Sequence, residues 1–294
     1  MHNNQFHIST HLQIMKPLLL LLSSAVLFGC SEKPSSVEQQ QPPVEPQHPP
    51  ATQEPSLTFE QQLERDASRG DAEAQLTLGT IYFIGKEDDP TFSVPRDDTK
   101  AFEWTQKAAT QGSVGAQELL GTMYFSGRGT SKDEAKAVEW MEKAASQGNK
   151  SAQLKLALAY ANGKGVPKND VKAAEWLQKS ASQGNVFAQG FLAMAYRDGT
   201  GVPKDDIKAA EWNEKAAMQG DTDSQGRLAA MYALGKGVPK DDVRAYAWIN
   251  LVAAQGKDNT ALQRDELEKL LTPDQKAEGQ KLSAELFSKI KKPK

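Results

Sequence analysis

The chain has 294 residues, with 35 Lys and Arg against 38 Asp and Glu and a formal net charge of -3 at pH 7. All four His (His2, His7, His11 and His48) and the single Cys (Cys30) precede Leu57. From Leu57 on there is no imidazole and no thiol, which excludes Cys–His and Ser–His nucleophilic schemes there, and zinc sites built on those ligands.

Residues 1–29 read as a targeting segment. Lys16 is its only strong positive charge, and Leu18 to Phe28 is an 11-residue run of apolar residues plus two Ser. Such a run is too short to span a bilayer but has the length of a signal-peptide core. It ends in Leu27-Phe28-Gly29-Cys30, which resembles the lipobox of bacterial lipoproteins, with Phe28 an unusual occupant. That resemblance implies cleavage before Cys30, acylation of its thiol and a lipid-anchored protein of the cell envelope. Ser31 after the Cys implies outer-membrane sorting in a Gram-negative cell, with the domain facing the periplasm. A plain secretory signal with a leftover thiol is the other reading. Met15-Lys16 would also make a more typical start than Met1.

Residues 30–56 are rich in Pro, Gln and Ser and hold little to bury, so they predict a disordered tether. Its 26 residues from Ser31 to Ser56 could reach ~80 Å at about 3.1 Å per residue. Residues 57–70 follow as a capping helix, with Phe59, Leu63 and Ala67 at +4 steps. By register this segment is the second half of a repeat in which Gln62 replaces a Trp.

From residue 71 the sequence matches itself at a step of 36. Trp104, Trp140, Trp176, Trp212 and Trp248 stand one period apart, as do Tyr124, Tyr160, Tyr196 and Tyr232. Tyr82 joins them after a six-residue insertion between Gly85 and Val94. A period in this range marks a solenoid of small helical units. Each unit predicts two helices. The first is capped by Asp71, Ser113, Asn149, Asn185 or Asp221, and the second by Asp97, Asp133, Asn169, Asp205 or Asp241. Gly-rich turns such as Gly163-Lys164-Gly165-Val166-Pro167 separate them. Gly79, Gly121, Ala157, Ala193 and Ala229 would let the paired helix approach closely. One helix pair cannot bury its Trp alone, so neighbouring pairs must stack. How enclosed the end position Trp248 is depends on how tightly the tail seals it.

The pattern AQxxLA/GxxY followed by GxGVPKDDxKAAEWxxKAAxQG resembles that of the Sel1-like repeats, relatives of the tetratricopeptide repeats. The resemblance covers five repeats, at residues 71–112, 113–148, 149–184, 185–220 and 221–256. It implies an all-α fold, an α/α superhelix with helical caps, that binds other proteins. Some members are cysteine-rich and have been linked to β-lactams; this chain has none of their paired cysteines. Residues 257–294 predict C-terminal capping helices and a basic tail, with Thr272-Pro273-Asp274-Gln275 as a capping box opening the last helix.

Chemistry in the repeats is sparse. Glu103, Glu139, Glu175 and Glu211 precede the Trp in four repeats, and repetition argues against one asymmetric active site. The turns lack a Walker A pattern and the Asp-rich stretches lack EF-hand spacing. The first 56 residues hold two of the basic and four of the acidic residues, so the rest is near neutral. That is not a phosphate-binding stripe, and no nucleic acid, metal or cofactor is expected.

Comparison between repeats separates scaffold from variable face. Thr77, Leu119, Lys155, Phe191 and Arg227 share one variable column, and Thr80, Thr122, Leu158, Met194 and Ala230 the next. Phe187, Phe191 and Met194 form one stripe, with Leu158 one repeat earlier and Lys155 and Arg227 flanking. Phe and Met suit a docking face, although stacking between repeats could equally bury them. The expectation is a non-catalytic envelope lipoprotein that docks a protein or peptide. The alternatives are a cell-envelope enzyme using unaided carboxylates and a lipoprotein that binds peptidoglycan.

Overall fold

The computed structural model describes residues 57–85, 94–256 and 260–291. The leader, Cys30, the tether and the six-residue insertion lie outside the described residues. Thirteen helices occur among those described, and no strand. They are α1 (Phe59–Ser68), α2 (Ala72–Ile84), α3 (Asp98–Thr110), α4 (Val114–Ser126), α5 (Glu134–Ser146), α6 (Lys150–Asn162), α7 (Asp170–Ser182), α8 (Val186–Asp198), α9 (Asp206–Met218), α10 (Thr222–Leu234), α11 (Asp242–Ala254), α12 (Thr260–Glu268) and α13 (Pro273–Lys291). Each helix from α2 to α11 packs on its neighbours in sequence, giving five stacked helix pairs. Helix α1 lies on α2, while α12 and α13 both lie on α11. The fold is an all-α solenoid with helical caps. No helix among the described residues is long and apolar enough to cross a membrane.

Side-chain caps set most helix starts. Asn185 accepts from the Ala188 N–H at 3.0 Å and Asp205 from that of Lys208 at 3.0 Å. Such bonds satisfy first-turn donors that have no partner in the helix. Ser113 occupies the cap of α4 without making a side-chain bond, a departure from the expected role. The Thr272 hydroxyl accepts from the Gln275 backbone N–H at 3.3 Å and the Gln275 side-chain carbonyl accepts from the Thr272 backbone N–H at 2.9 Å, so the capping box that opens α13 is present. A second box, Thr58 with Gln61, opens α1. In that helix Ala67 is buried and Leu63 packs on the first core cluster, but Phe59 is 69% exposed. The +4 spacing overstates the buried stripe by one turn, because Phe59 is the first residue of its helix.

A column of amides ties the pairs together. Gln75, Gln117, Gln153, Gln189 and Gln225 are all buried. Each donates to a carbonyl near the end of the preceding second helix, from Ala67 to Ala217, at 2.9–3.3 Å. Each also accepts from the Gln that closes the second helix of its own repeat, at 2.7–3.1 Å. A buried amide left unpaired would cost ~1–3 kcal/mol. Here both halves are satisfied, and each bond joins two helices. Helix α1 supplies the Ala67 carbonyl to this ladder, and so acts as a second helix in register.

The first two repeats carry a separate staple. Arg128, in the turn after α4, donates to Asp98 at 2.6 Å and to the Phe83 carbonyl at 2.6 Å. Its guanidinium also lies 3.6 Å from the Phe83 ring centroid. Hydrogen bonds from Arg96, then Arg128, hold the Asp98 carboxyl well below the usual carboxylate range.

Gly79 and Gly121 admit the paired helix as expected. A Cβ at Gly79 would stand 2.4 Å from the Thr105 hydroxyl. That hydroxyl is fully buried and finds no hydrogen-bond partner. Thr105→Val keeps the shape and removes the unpaired group, so it is expected to raise stability by about 1 kcal/mol. Denaturant midpoints of the two proteins check this. A clear loss would mean that the hydroxyl is bonded in solution.

Candidate functional site

The repeat register decides which faces of the first helices are committed to packing. On α8, Ala188, Gln189, Leu192 and Ala193 are buried. Phe187 and Phe191 lie away from that core and are 61% and 40% exposed. Met194 is half-buried one turn further on, and Leu158 is half-buried on α6.

The two flanking cations are held by the scaffold. Lys155 pairs with Glu118 on α4 and donates to the Thr122 hydroxyl at 2.7 Å. Glu118 also accepts from Ser151 at 3.2 Å. Arg227 donates to the Asn213 carbonyl on α9 at 3.0 Å and to Ser224 at 3.0 Å, and lies 3.6 Å from Asp221. Its remaining nitrogen reaches the Met194 sulfur at 3.8 Å, linking α10 to α8. The six sequence candidates therefore divide: two exposed aromatics, two half-buried apolar residues and two cations spent on neighbouring helices.

Two open clefts adjoin this face. The larger, about 660 Å³, runs between Val186 and Phe187 of α8 and the segment from Gln219 to Asp223, which includes the start of α10. The smaller, about 360 Å³, lies over α10 at Gly226, Arg227 and Ala230, with Ile249 and Val252 of α11 and Thr260 and Gln263 of α12 around it. Thr222 and Asp223 line both. Sequence comparison of the two variable columns passes over Asp223 and Gly226. Gly226 could have been found as a glycine in mid-helix, in a column where three repeats carry Leu76, Glu118 and Leu154 and only the preceding one has a glycine, Gly190.

The Trp column forms another face. Lys107, Lys143, Lys179 and Lys215 place their ammonium groups 3.7–4.0 Å from the rings of Trp104, Trp140, Trp176 and Trp212. These indoles are half-buried against the core on one side and covered by a cation on the other, an arrangement worth ~0.5–1 kcal/mol at exposed sites. The Glu before each is exposed. Among the described residues no group of three His, Cys, Asp or Glu is placed to hold a metal ion.

The Sel1 repeat family matches the chain five times, at residues 72–113, 114–149, 150–185, 186–221 and 222–257. Each match starts on the first helical residue after a cap. Among solved structures the chain is similar to a protective antigen of uropathogenic Escherichia coli with an SLR fold. The identity is 34% and the TM-score 0.68, over 78% of this chain and 47% of that one. It is also similar to a Sel1 repeat protein from Oxalobacter formigenes, at 38% identity and a TM-score of 0.62, over 70% of this chain and 58% of that one. The chain spans about half the length of these two proteins. No curated protein matches it.

Proposed function

Because the chain belongs to the Sel1 repeat family, we propose that it is a non-catalytic scaffold, held in the cell envelope through acylated Cys30, which docks a protein or peptide on the exposed face of α8. The observation that carries the docking reading is the exposure of Phe187 and Phe191, at 61% and 40%, on one helical face. Their columns hold Glu73, Gly115, Ser151 and Asp223 in one case and Thr77, Leu119, Lys155 and Arg227 in the other. Stacking therefore does not demand an aromatic at either place. Desolvated aromatics usually dominate binding, with truncation costs of ~2 kcal/mol or more. Met194 adds an adaptable thioether beside them. The anchoring reading rests on the lipobox-like Leu27-Phe28-Gly29-Cys30.

Crosslinking in intact cells, followed by mass spectrometry, identifies the partner. Phe191→Ala should then weaken its capture at least about tenfold, equivalent to ~1.4 kcal/mol, while helical content and melting stay nearly unchanged. Loss of capture only through loss of the fold would assign the side chain to the core instead. Cys30→Ala should shift the protein from the membrane pellet to the soluble fraction, since two acyl chains are needed for durable anchoring. A variant that still pellets with membrane would place the anchor elsewhere.

A further inference from the structure

Arg227 stands at the centre of a polar chain that joins α8, α9 and α10. Its Nε donates to the Asn213 carbonyl at 3.0 Å, and the Asn213 amide in turn donates to the Met231 sulfur at 3.5 Å. Nη2 donates to the Ser224 hydroxyl at 3.0 Å and lies 3.6 Å from Asp221. Nη1 donates to the Met194 sulfur at 3.8 Å. The chain therefore closes on a thioether at each end. Asn213 is buried in a column where the other repeats carry Thr105, Met141, Leu177 and Ile249. Gly190 leaves the guanidinium its place, since a Cβ there would stand 3.2 Å from Nη2.

A thioether is a weak acceptor, whereas a guanidinium makes its strong bonds to anionic or strongly polarised oxygen. Nη1 is thus aimed at an atom that would bond it far better with an oxygen attached. The two sulfurs differ in access. Met231 is 9% exposed, while Met194 is half-buried one turn beyond the exposed Phe191. Of the two, the Met194 sulfur is the one within reach of a small solute.

We propose that Met194 is an oxidation site that takes an oxygen atom from hydrogen peroxide, with Arg227 directing that oxygen and then holding it. The sulfur lone pair attacks one peroxide oxygen and the O–O bond breaks. The other oxygen leaves with the bonding pair, takes up the proton of the transferred oxygen and departs as water. Sulfur is oxidised by two electrons and the peroxide is reduced by two. Negative charge builds on the leaving oxygen, where the Nη1–H donates to it, and the guanidinium keeps its protons throughout. In the product the same N–H donates to the sulfoxide oxygen, a charge-assisted bond in place of the N–H···S contact. A methionine sulfoxide is polar and chiral, and delivery from the Arg227 side favours one epimer. The change also makes the end of the Phe187, Phe191 and Met194 stripe polar, so oxidation weakens the docking proposed for that face. That consequence rests on the docking reading; the oxidation site does not.

The full chain is treated with millimolar hydrogen peroxide, and each methionine is followed by peptide mass spectrometry. Met218, also half-buried and packed on the C-terminal core cluster, is the internal comparison. Met194 is expected to oxidise at least about fivefold faster than Met218. One sulfoxide epimer should form in clear excess, as read with epimer-specific sulfoxide reductases. Arg227→Gln should bring the two rates together and the epimers to parity while helical content is kept. A second readout needs no variant: on oxidation of the ¹⁵N-labelled parent the Arg227 side-chain resonances should shift. Met194→Gln offers Arg227 a carbonyl oxygen where the sulfoxide would stand. It should keep the parent Tm and weaken capture of the crosslinked partner as oxidation does.

Equal rates at Met194 and Met218, or equal epimers at Met194 in the parent, overturn the proposal. So does an unaltered epimer ratio in folded Arg227→Gln, or an Arg227 resonance that oxidation leaves in place. Undiminished capture by the oxidised protein, beside weak capture by Phe191→Ala, removes the effect on docking. Undiminished capture by both removes the docking reading and leaves the oxidation site standing.

Discussion

Trp248→Ala is expected to cost about 3–5 kcal/mol, and more than the same change at Trp176 in the middle of the stack. Position along the solenoid would suggest the opposite, because terminal units have fewer neighbours. Burial decides it. Trp248 is 4% exposed, whereas Trp176 is half-buried beneath Lys179. Three residues after Trp248 the chain carries Leu251 instead of the repeated Lys, and before it Ala247 instead of the repeated Glu. That switch turns the outer face of α11 into a landing site. Leu267 of α12 and Leu282, Leu286 and Ile290 of α13 pack on the same cluster as Trp248. Asn250 and Ser283 add a bond at 3.2 Å. Denaturant melts of the two variants test the ranking. A larger loss at Trp176 would mean that α12 and α13 do not close the end of the stack in solution.

The helix pairs were readable because their marks are local. A cap needs one polar side chain at one position, and a period of 36 shows itself without any knowledge of contacts. The buried Gln column was readable as core but not as a ladder. Its meaning lies in bonds such as Gln219 to Gln189, 30 residues apart, which only the stacked fold brings together. The Phe and Met stripe stayed ambiguous in sequence for a different reason. Spacing at +3 and +4 serves a core face and a docking face equally well. In the structure Phe187 and Phe191 project from the packing while Met194 turns against Arg227. Lys155 and Arg227 look free in sequence, yet each meets a partner on an adjacent helix, Glu118 in one case and Asn213 in the other. The clefts beside α10 were the least legible. The walls of the smaller one include α12, which lies beyond the point where the repeat lapses, and no period predicts where an unrepeated helix falls.

Gly201→Ala is expected to cost ~3 kcal/mol or more, while Gly184→Ala costs only about 1–2 kcal/mol. Both residues sit at positive φ, +72° and +80°, where an L side chain is strained to a similar extent. They differ in what a methyl would meet. Around Gly184 nothing lies within 4 Å, but at Gly201 the new Cβ would stand 1.9 Å from the Asp170 carbonyl oxygen. That oxygen belongs to the first turn of α7, so the turn cannot keep both its own path and its seat on the preceding repeat. Gly129 and Gly237 meet Asp98 and Asp206 in the same way. The contact recurs along the stack, which makes it a determinant of the spacing between repeats. Spacing in turn sets how the α8 face lies against α10, and the docking proposed for that face depends on it. Gly201→Ala should therefore weaken partner capture even at temperatures where the protein stays folded, and Gly184→Ala should not. Equal losses of stability in the two variants would show that the turn yields without cost, and the repeat spacing would then have to be set by the Gln ladder alone.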